Sequence, residues 1–170
     1  MHYRHIAALA IVAALATPGS AAAQTWQDWS EIEARALVTA ERGEVTEVVL
    51  SDDGDLEIHA IFDGWLHAIL LGRDCNDRGG QRRCKELAFN ALFEVDNASR
   101  SRELEAELNF NYVADMADGE DFVVERAVEL GGGASLTNIR RQLDGFIRNC
   151  ELVADAIWPS KTDGGKGRSG

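Results

Sequence analysis

Between Leu56 and Phe93 the apolar residues recur at every second position, a period that presents one face only in an extended strand. Leu56, Ile58, Ala60 and Phe62 alternate with other residues, and Leu87, Phe89, Ala91 and Phe93 repeat the pattern. Trp65 to Gly72 is nearly all apolar, as in a strand covered on both faces. Asp63-Gly64 marks the hairpin turn between the first two strands. A three-residue turn Phe62-Asp63-Gly64 with Gly64 left-handed pairs Ile61 with Trp65, Ala60 with Leu66, Ile58 with Ala68 and Leu56 with Leu70. A Cys75–Cys84 pair in regular register sets Leu70 opposite Phe89 and Ala68 opposite Ala91 on that same face. The two constraints agree, so this face is the expected core. The other face then carries His59 directly across from His67, beside Ile61, Trp65, Ile69 and Leu71. This half-apolar face is the candidate partner-binding surface, with Trp65 as its anchor.

The rest of the chain supplies helices for that sheet. Ser30-Glu31-Ile32-Glu33 has the capping-box form and opens a helix that runs to Arg42 and stops at Gly43. Asn97 caps a second helix over about 98–108, whose apolar stripe of Leu104 and Leu108 is thin. Phe110, Tyr112, Ala114 and Met116 alternate, and after a turn at 117–120 a strand runs from Phe122 to Leu130. Beyond Gly131-Gly132-Gly133, a last helix carries Leu136, Ile139, Leu143, Phe146, Ile147, Cys150, Ala154 and Ile157 on one stripe. The expected fold is α+β, a curved antiparallel sheet of five to six strands packed with helices in the order α-β-β-β-α-β-β-α. It forms a single domain over 24–158, followed by a disordered Gly, Ser and Lys tail over 159–170.

The first 23 residues read as an address. A basic start at Arg4, an apolar run from Ile6 to Ala16 and the triplet Ala21-Ala22-Ala23 have the form of a secretory signal peptide cleaved after Ala23. The run is shorter than the roughly 20 residues a spanning helix needs, so no membrane insertion is expected after cleavage. The product is expected in the periplasm or outside the cell. With 29 acidic residues against 17 Lys plus Arg, the formal charge is −12. That surface repels phosphate backbones and anionic lipid, which argues against nucleic acid as a partner.

The order Asp52-Asp53-Gly54-Asp55, then Asp63-Gly64 before a hydrophobic strand, then Cys75 and Cys84, resembles the YbjN-domain family. Asp118-Gly119-Glu120-Asp121, Glu129-Leu130-Gly131-Gly132 and Leu136-Thr137-Asn138-Ile139 resemble its second half. The likeness spans about Ser30 to Trp158. It departs from the family at Leu108-Asn109, where members tend to carry Trp-Asn, and at Arg126, where the strand alternation expects an apolar residue. The resemblance implies a fold like the type III secretion chaperones and a role in sensing or regulation, and it brings no catalytic residues.

Cys75 and Cys84 have eight residues between them. In an oxidising compartment this spacing suits a bridge across a hairpin mouth. Closing a loop of about ten residues stabilises by about 2.5–3 kcal/mol in the chain-entropy model. A metal site needs further ligands, and the intervening loop offers only Asp77. A redox pair would more usually take the C-x-x-C form. Cys150 lies on an apolar helix stripe and is expected to be a buried, inert thiol. His59 and His67 are the histidines left after cleavage, and no H-E-x-x-H, G-x-S-x-G or phosphate-loop pattern occurs. Asp52, Asp53 and Asp55 lack the spacing and terminal Glu of a calcium loop. Arg73, Arg78, Arg82 and Arg83 form one basic cluster on an acidic chain, suited either to docking a carboxylate-rich partner or simply to solvation.

These features are those of an exported, non-catalytic binding module without a cofactor, holding a protein or peptide partner or a second copy of itself as a homodimer. Two other classes compete with it. One is a small-ligand or metal binder centred on His59 and His67, and the other is an envelope hydrolase of unrecognised type.

Overall fold

The computed structural model describes residues 25–95, 113–115 and 121–158. The expected signal peptide over 1–23, the helix expected at 98–108, the turn expected at 117–120 and the tail expected from 159 lie outside the described residues. The chain is mixed α and β. Its elements are β1 (Thr25–Trp26), α1 (Glu31–Ala40), β2 (Glu44–Leu50), β3 (Leu56–Phe62), β4 (Leu66–Arg78), β5 (Gln81–Glu94), β6 (Val113–Asp115), β7 (Asp121–Val128), β8 (Ala134–Ser135) and α2 (Leu136–Ile157). Six strands make one antiparallel sheet in the order β2-β3-β4-β5-β7-β6, while β1 pairs with β8 separately. Three strands were not expected from the pattern, namely β2 and the two-residue pair β1 and β8. β2 lies at the sheet edge with Thr46 as a bulge between Val45 and Glu47, which breaks the alternation that would have betrayed it.

Both described helices pack on one face, α1 against β2 and β3, and α2 against β5 and β7. Leu56, Ile58, Ala60 and Phe62 of β3 are buried beneath them with Leu66, Ala68 and Leu70 of β4 and Leu87, Phe89, Ala91 and Phe93 of β5. Phe146 of α2 meets Phe89 with ring centroids 5.8 Å apart. The buried stripe of α2 is Ile139, Leu143, Phe146, Cys150 and Val153, with Ala154 and Ile157 at its margin. Ser135 caps it, its hydroxyl accepting from the Asn138 amide at 3.2 Å. At the start of α1 the Glu33 carboxylate accepts from both the amide and the hydroxyl of Ser30, each at 2.9 Å. That helix ends with Arg42, not a glycine, in the left-handed position at φ 60°. The Gly43 amide donates to the Val38 carbonyl at 2.9 Å, closing a Schellman-type end. Gly43 answers a packing need instead: a Cβ there would stand 2.7 Å from Phe62 and 2.8 Å from Val38.

The β3–β4 register is the principal correction. Phe62 pairs with Leu66, Ile61 with His67, Ala60 with Ala68, Ile58 with Leu70 and Leu56 with Gly72. The loop is therefore Asp63-Gly64-Trp65 rather than Phe62-Asp63-Gly64. Asp63 and Gly64 are both left-handed, at φ 48° and 76°, and the Trp65 amide donates to the Phe62 carbonyl at 3.1 Å. A two-residue turn of that kind alone would pair Phe62 with Trp65 and turn one strand's apolar set outward. Trp65, as one extra residue, restores even register and keeps the core faces together. The β4–β5 register matches expectation, with Cys75 opposite Cys84 and Leu70 opposite Phe89.

Candidate functional site

The face of the sheet away from α1 and α2 carries Glu57, His59 and Ile61 from β3, and His67, Ile69 and Leu71 from β4. Pairing with β5 and β7 adds Asn90 and Leu92, then Val123 and Glu125, in adjacent rows. These positions follow directly from the two-residue period, since their neighbours in sequence are the buried ones. Leu92 is 56% exposed, while Ile61, Ile69 and Leu71 are half-buried. A groove of about 540 Å³ runs over this face, lined among others by Glu47, His59, His67, Ile69, Leu92 and Glu125.

His59 and His67 share the face, as the alternation requires, but they do not oppose one another. His59 stands opposite Ile69, and His67 opposite Ile61. His59 Nε2 lies 3.2 Å from Glu57 Oε2 on its own strand. Among the described residues no three His, Cys, Asp or Glu side chains converge as metal ligands. Trp65 is the second correction. Being in the turn, it leaves the outer face and lies instead beside Glu151, Ala154, Asp155 and Trp158 at the end of α2. The outer face is thus anchored by aliphatic residues, with Ile69 near its centre.

The four arginines divide three to one. Arg83 Nε donates to Asp28 Oδ1 at 2.7 Å, and its Nη2 to Glu33 Oε2 at 3.1 Å. The Asp28 hydrogen bond, with the charge of Glu33 and despite partial desolvation, holds its guanidinium even more firmly protonated than usual. Arg82 Nη2 donates to the Gly54 carbonyl at 2.7 Å, and Arg78 Nη1 to Asp28 Oδ2 at 3.3 Å. These three bind the 28–33 segment and the 51–55 turn to the β4–β5 hairpin. Arg73 has no intramolecular partner among the described residues and lies exposed at the groove. It stands opposite Glu86 and reaches a second, mixed-charge cleft of about 730 Å³ toward the end of β7. Arg126, on the helix-facing side, donates through Nε to Gln142 Oε1 at 2.5 Å. The polar departure from alternation is thereby taken up by α2.

Cys75 and Cys84 form a disulfide. The backbone amide and carbonyl of Cys84 both turn away from Cys75 to Trp29, at 2.8 and 2.9 Å. The cysteines are therefore a non-hydrogen-bonded cross-strand pair, the closer of the two antiparallel spacings. Cys150 is free and buried, and desolvation pushes its thiol far above its ordinary value, with Glu151 adding to the effect.

Comparison with family models, with curated proteins and with solved structures finds no match to the chain. No helix among the described residues is long and apolar enough to cross a membrane.

Proposed function

We propose that this protein is a non-catalytic binding module whose outer sheet face holds an extended polypeptide segment. The observation that carries the reading is the groove itself: Ile69, Leu92 and Val123 line a face on the side away from both described helices. An apolar face of this extent suits a partner better than water. The flanking charges choose its chemistry. Glu47 and Glu125 line the groove, Glu57 lies beside its His59, and Arg73 is the one Lys or Arg among the described lining residues, on a chain of formal charge −12. A segment that alternates apolar with basic side chains satisfies both features, its apolar residues entering the groove and its cations meeting the carboxylates.

The wider setting belongs to the same proposal. Export through the N-terminal segment, a YbjN-type domain, a chaperone-like sheet and a part in envelope sensing or regulation are all consistent with a protein that holds another chain. The Cys75–Cys84 bridge supports an oxidising compartment, since such bonds persist there.

The test is an NMR titration of the isotope-labelled protein with a nine-residue peptide alternating Leu and Lys. Shifts concentrated on β3, β4, β5 and β7 amides, and lost in Ile69→Asp with the fold retained, support the reading. Shifts confined to α1 and α2, or none at millimolar peptide, overturn it. The groove volume also lies within the range of small-ligand sites. A small apolar ligand between His59 and His67 is therefore the second reading, and it predicts that such a compound displaces no peptide because none was bound.

A further inference from the structure

The corrected place of Trp65 creates a site unrelated to the sheet groove. Trp65 and Trp158 frame an open cleft of about 460 Å³ at the C-terminal end of α2, whose other lining residues are Glu151, Ala154 and Asp155. Both indoles are accessible, Trp65 at 39% and Trp158 at 58% exposure, whereas Trp26 and Trp29 are buried in the core. Trp158 is steadied from behind by Phe93, with ring centroids 6.1 Å apart.

Glu151 and Asp155 are four residues apart on α2, so their carboxylates project from the same side of the helix. Neither has a hydrogen bond or ion pair among the described residues. The nearby Asp144 does have one, paired one turn on with Arg148 at 2.6 Å. The cleft therefore combines two accessible π-faces with two unpaired negative charges, and its only side-chain oxygens are acceptors. A neutral sugar could use the indole N–H donors and the carboxylate acceptors but would leave the two negative charges uncompensated. A cation with several N–H donors needs only what is present.

We propose that this cleft binds the guanidinium group of an arginine side chain carried by a polypeptide ligand. Guanidinium is planar and weakly hydrated, stacks on an indole face and presents a fork of N–H donors to carboxylates. Lysine offers a compact, strongly hydrated charge and is the weaker ligand for an open cleft of this kind. The proposal does not depend on the outer-face reading. The cleft lies at the helix end and shares no lining residue with the sheet groove, so its ligand needs a cation but no alternating apolar side chains.

Trp fluorescence of the full chain, titrated with acetyl-Gly-Arg-Gly-amide, tests it, because Trp65 and Trp158 are the accessible fluorophores among the described residues. Saturable quenching with a Kd on the order of millimolar is expected for one exposed side chain. The isosteric but uncharged citrulline peptide binds at least about fivefold more weakly. The double variant Glu151→Gln, Asp155→Asn weakens the arginine peptide by a similar factor. It exchanges exposed carboxylates for amides, so its circular dichroism stays that of the parent. Trp65→Phe and Trp158→Phe each remove part of the quenching. Ile69→Asp leaves the titration unchanged, which separates this site from the sheet groove. Equal quenching by the citrulline peptide, an unchanged affinity in the folded double variant, or no saturable quenching at all overturns the proposal.

Discussion

Replacing Gly72 with alanine adds a single methyl group, and the structure predicts a disproportionate loss of stability. Gly72 sits on β4 with ordinary strand geometry, so the penalty comes from space and not from backbone strain. An ideal Cβ there lies 2.6 Å from Trp29 Cζ2, 2.7 Å from Cys84 Sγ and 2.9 Å from Cys84 Cβ. Comfortable carbon contacts are about 3.5–4.0 Å, so all three neighbours must retreat by roughly 1 Å. None is free to do so. Trp29 is fully buried, its Nε1 donates to the Glu86 carbonyl at 2.8 Å, and its backbone exchanges hydrogen bonds with Cys84. Cys84 is held from the other side by its bond to Cys75. Overpacking of this kind costs about 2–3 kcal/mol, or a fall in Tm of roughly 6–10 °C for a domain of this size. Urea and thermal unfolding of Gly72→Ala followed by circular dichroism provide the measurement. The penalty shrinks by about 1 kcal/mol or more in a Trp29→Phe background, because Cζ2 is one of the obstructing atoms. A variant as stable as the parent, or a penalty unaffected by Trp29→Phe, refutes the packing described for this corner.

Other outcomes follow from the same geometry. Reducing the disulfide closed across nine positions of sequence lowers unfolding stability by about 2.7 kcal/mol in the chain-entropy model, read from urea curves with and without reductant. Native protein shows no thiol reactive to Ellman's reagent, whereas denatured, unreduced protein shows that of Cys150. Because burial raises the Cys150 pKa from its ordinary value of 9.0, its contribution to stability is complete below pH 9 and is lost as pH rises beyond it. The variant Cys150→Ala should therefore lose less stability than the parent between pH 8 and 10, by urea unfolding at each pH. A double-mutant cycle on Arg83→Ala and Glu33→Gln yields a coupling of about 1 kcal/mol, since both side chains are three-quarters covered. The same cycle on Arg78 and Asp28 yields less than about 0.5 kcal/mol, because the Arg78 side chain is 70% exposed.

The parts of this fold that were readable in the sequence are those governed by period. Alternation placed Leu56 to Phe62 and Leu87 to Phe93 on the core face, the stripe from Ile139 to Cys150 located α2, and the loop between Cys75 and Cys84 gave the β4–β5 register. What escaped was decided by local insertions or by distance. The bulge at Thr46 hid β2, and β1 and β8 are two residues each, too short to show any period. Trp65 looked like a strand residue because it begins an apolar run. Only the turn, with two left-handed residues followed by one spare, assigns it to the loop. His59 and His67 were rightly placed on one face, yet a register shift of two residues separates them. The contribution of Val123 and Glu125 to the groove depends on β7 lying next to β5 with β6 outside it. That order is a long-range choice for which no short motif exists. The arginine cluster read as one patch because its members are close in sequence, while the partners that occupy Arg83 and Arg78, Asp28 and Glu33, lie some fifty residues away.

The central claim is that the outer sheet face, and not the helical face, holds another polypeptide. Site-specific photocrosslinking in producing cells tests it most directly, with a photoreactive residue placed in turn at Ile69, at Leu92 and at Leu152. Leu92 and Leu152 are matched in exposure, at 56% and 52%, but Leu92 lies on the outer face and Leu152 on α2. The account predicts the same discrete polypeptide adduct from positions 69 and 92, absent from position 152 and competed by the Leu–Lys peptide. Adducts at 152 alone, or equal and uncompeted adducts at all three positions, would contradict it.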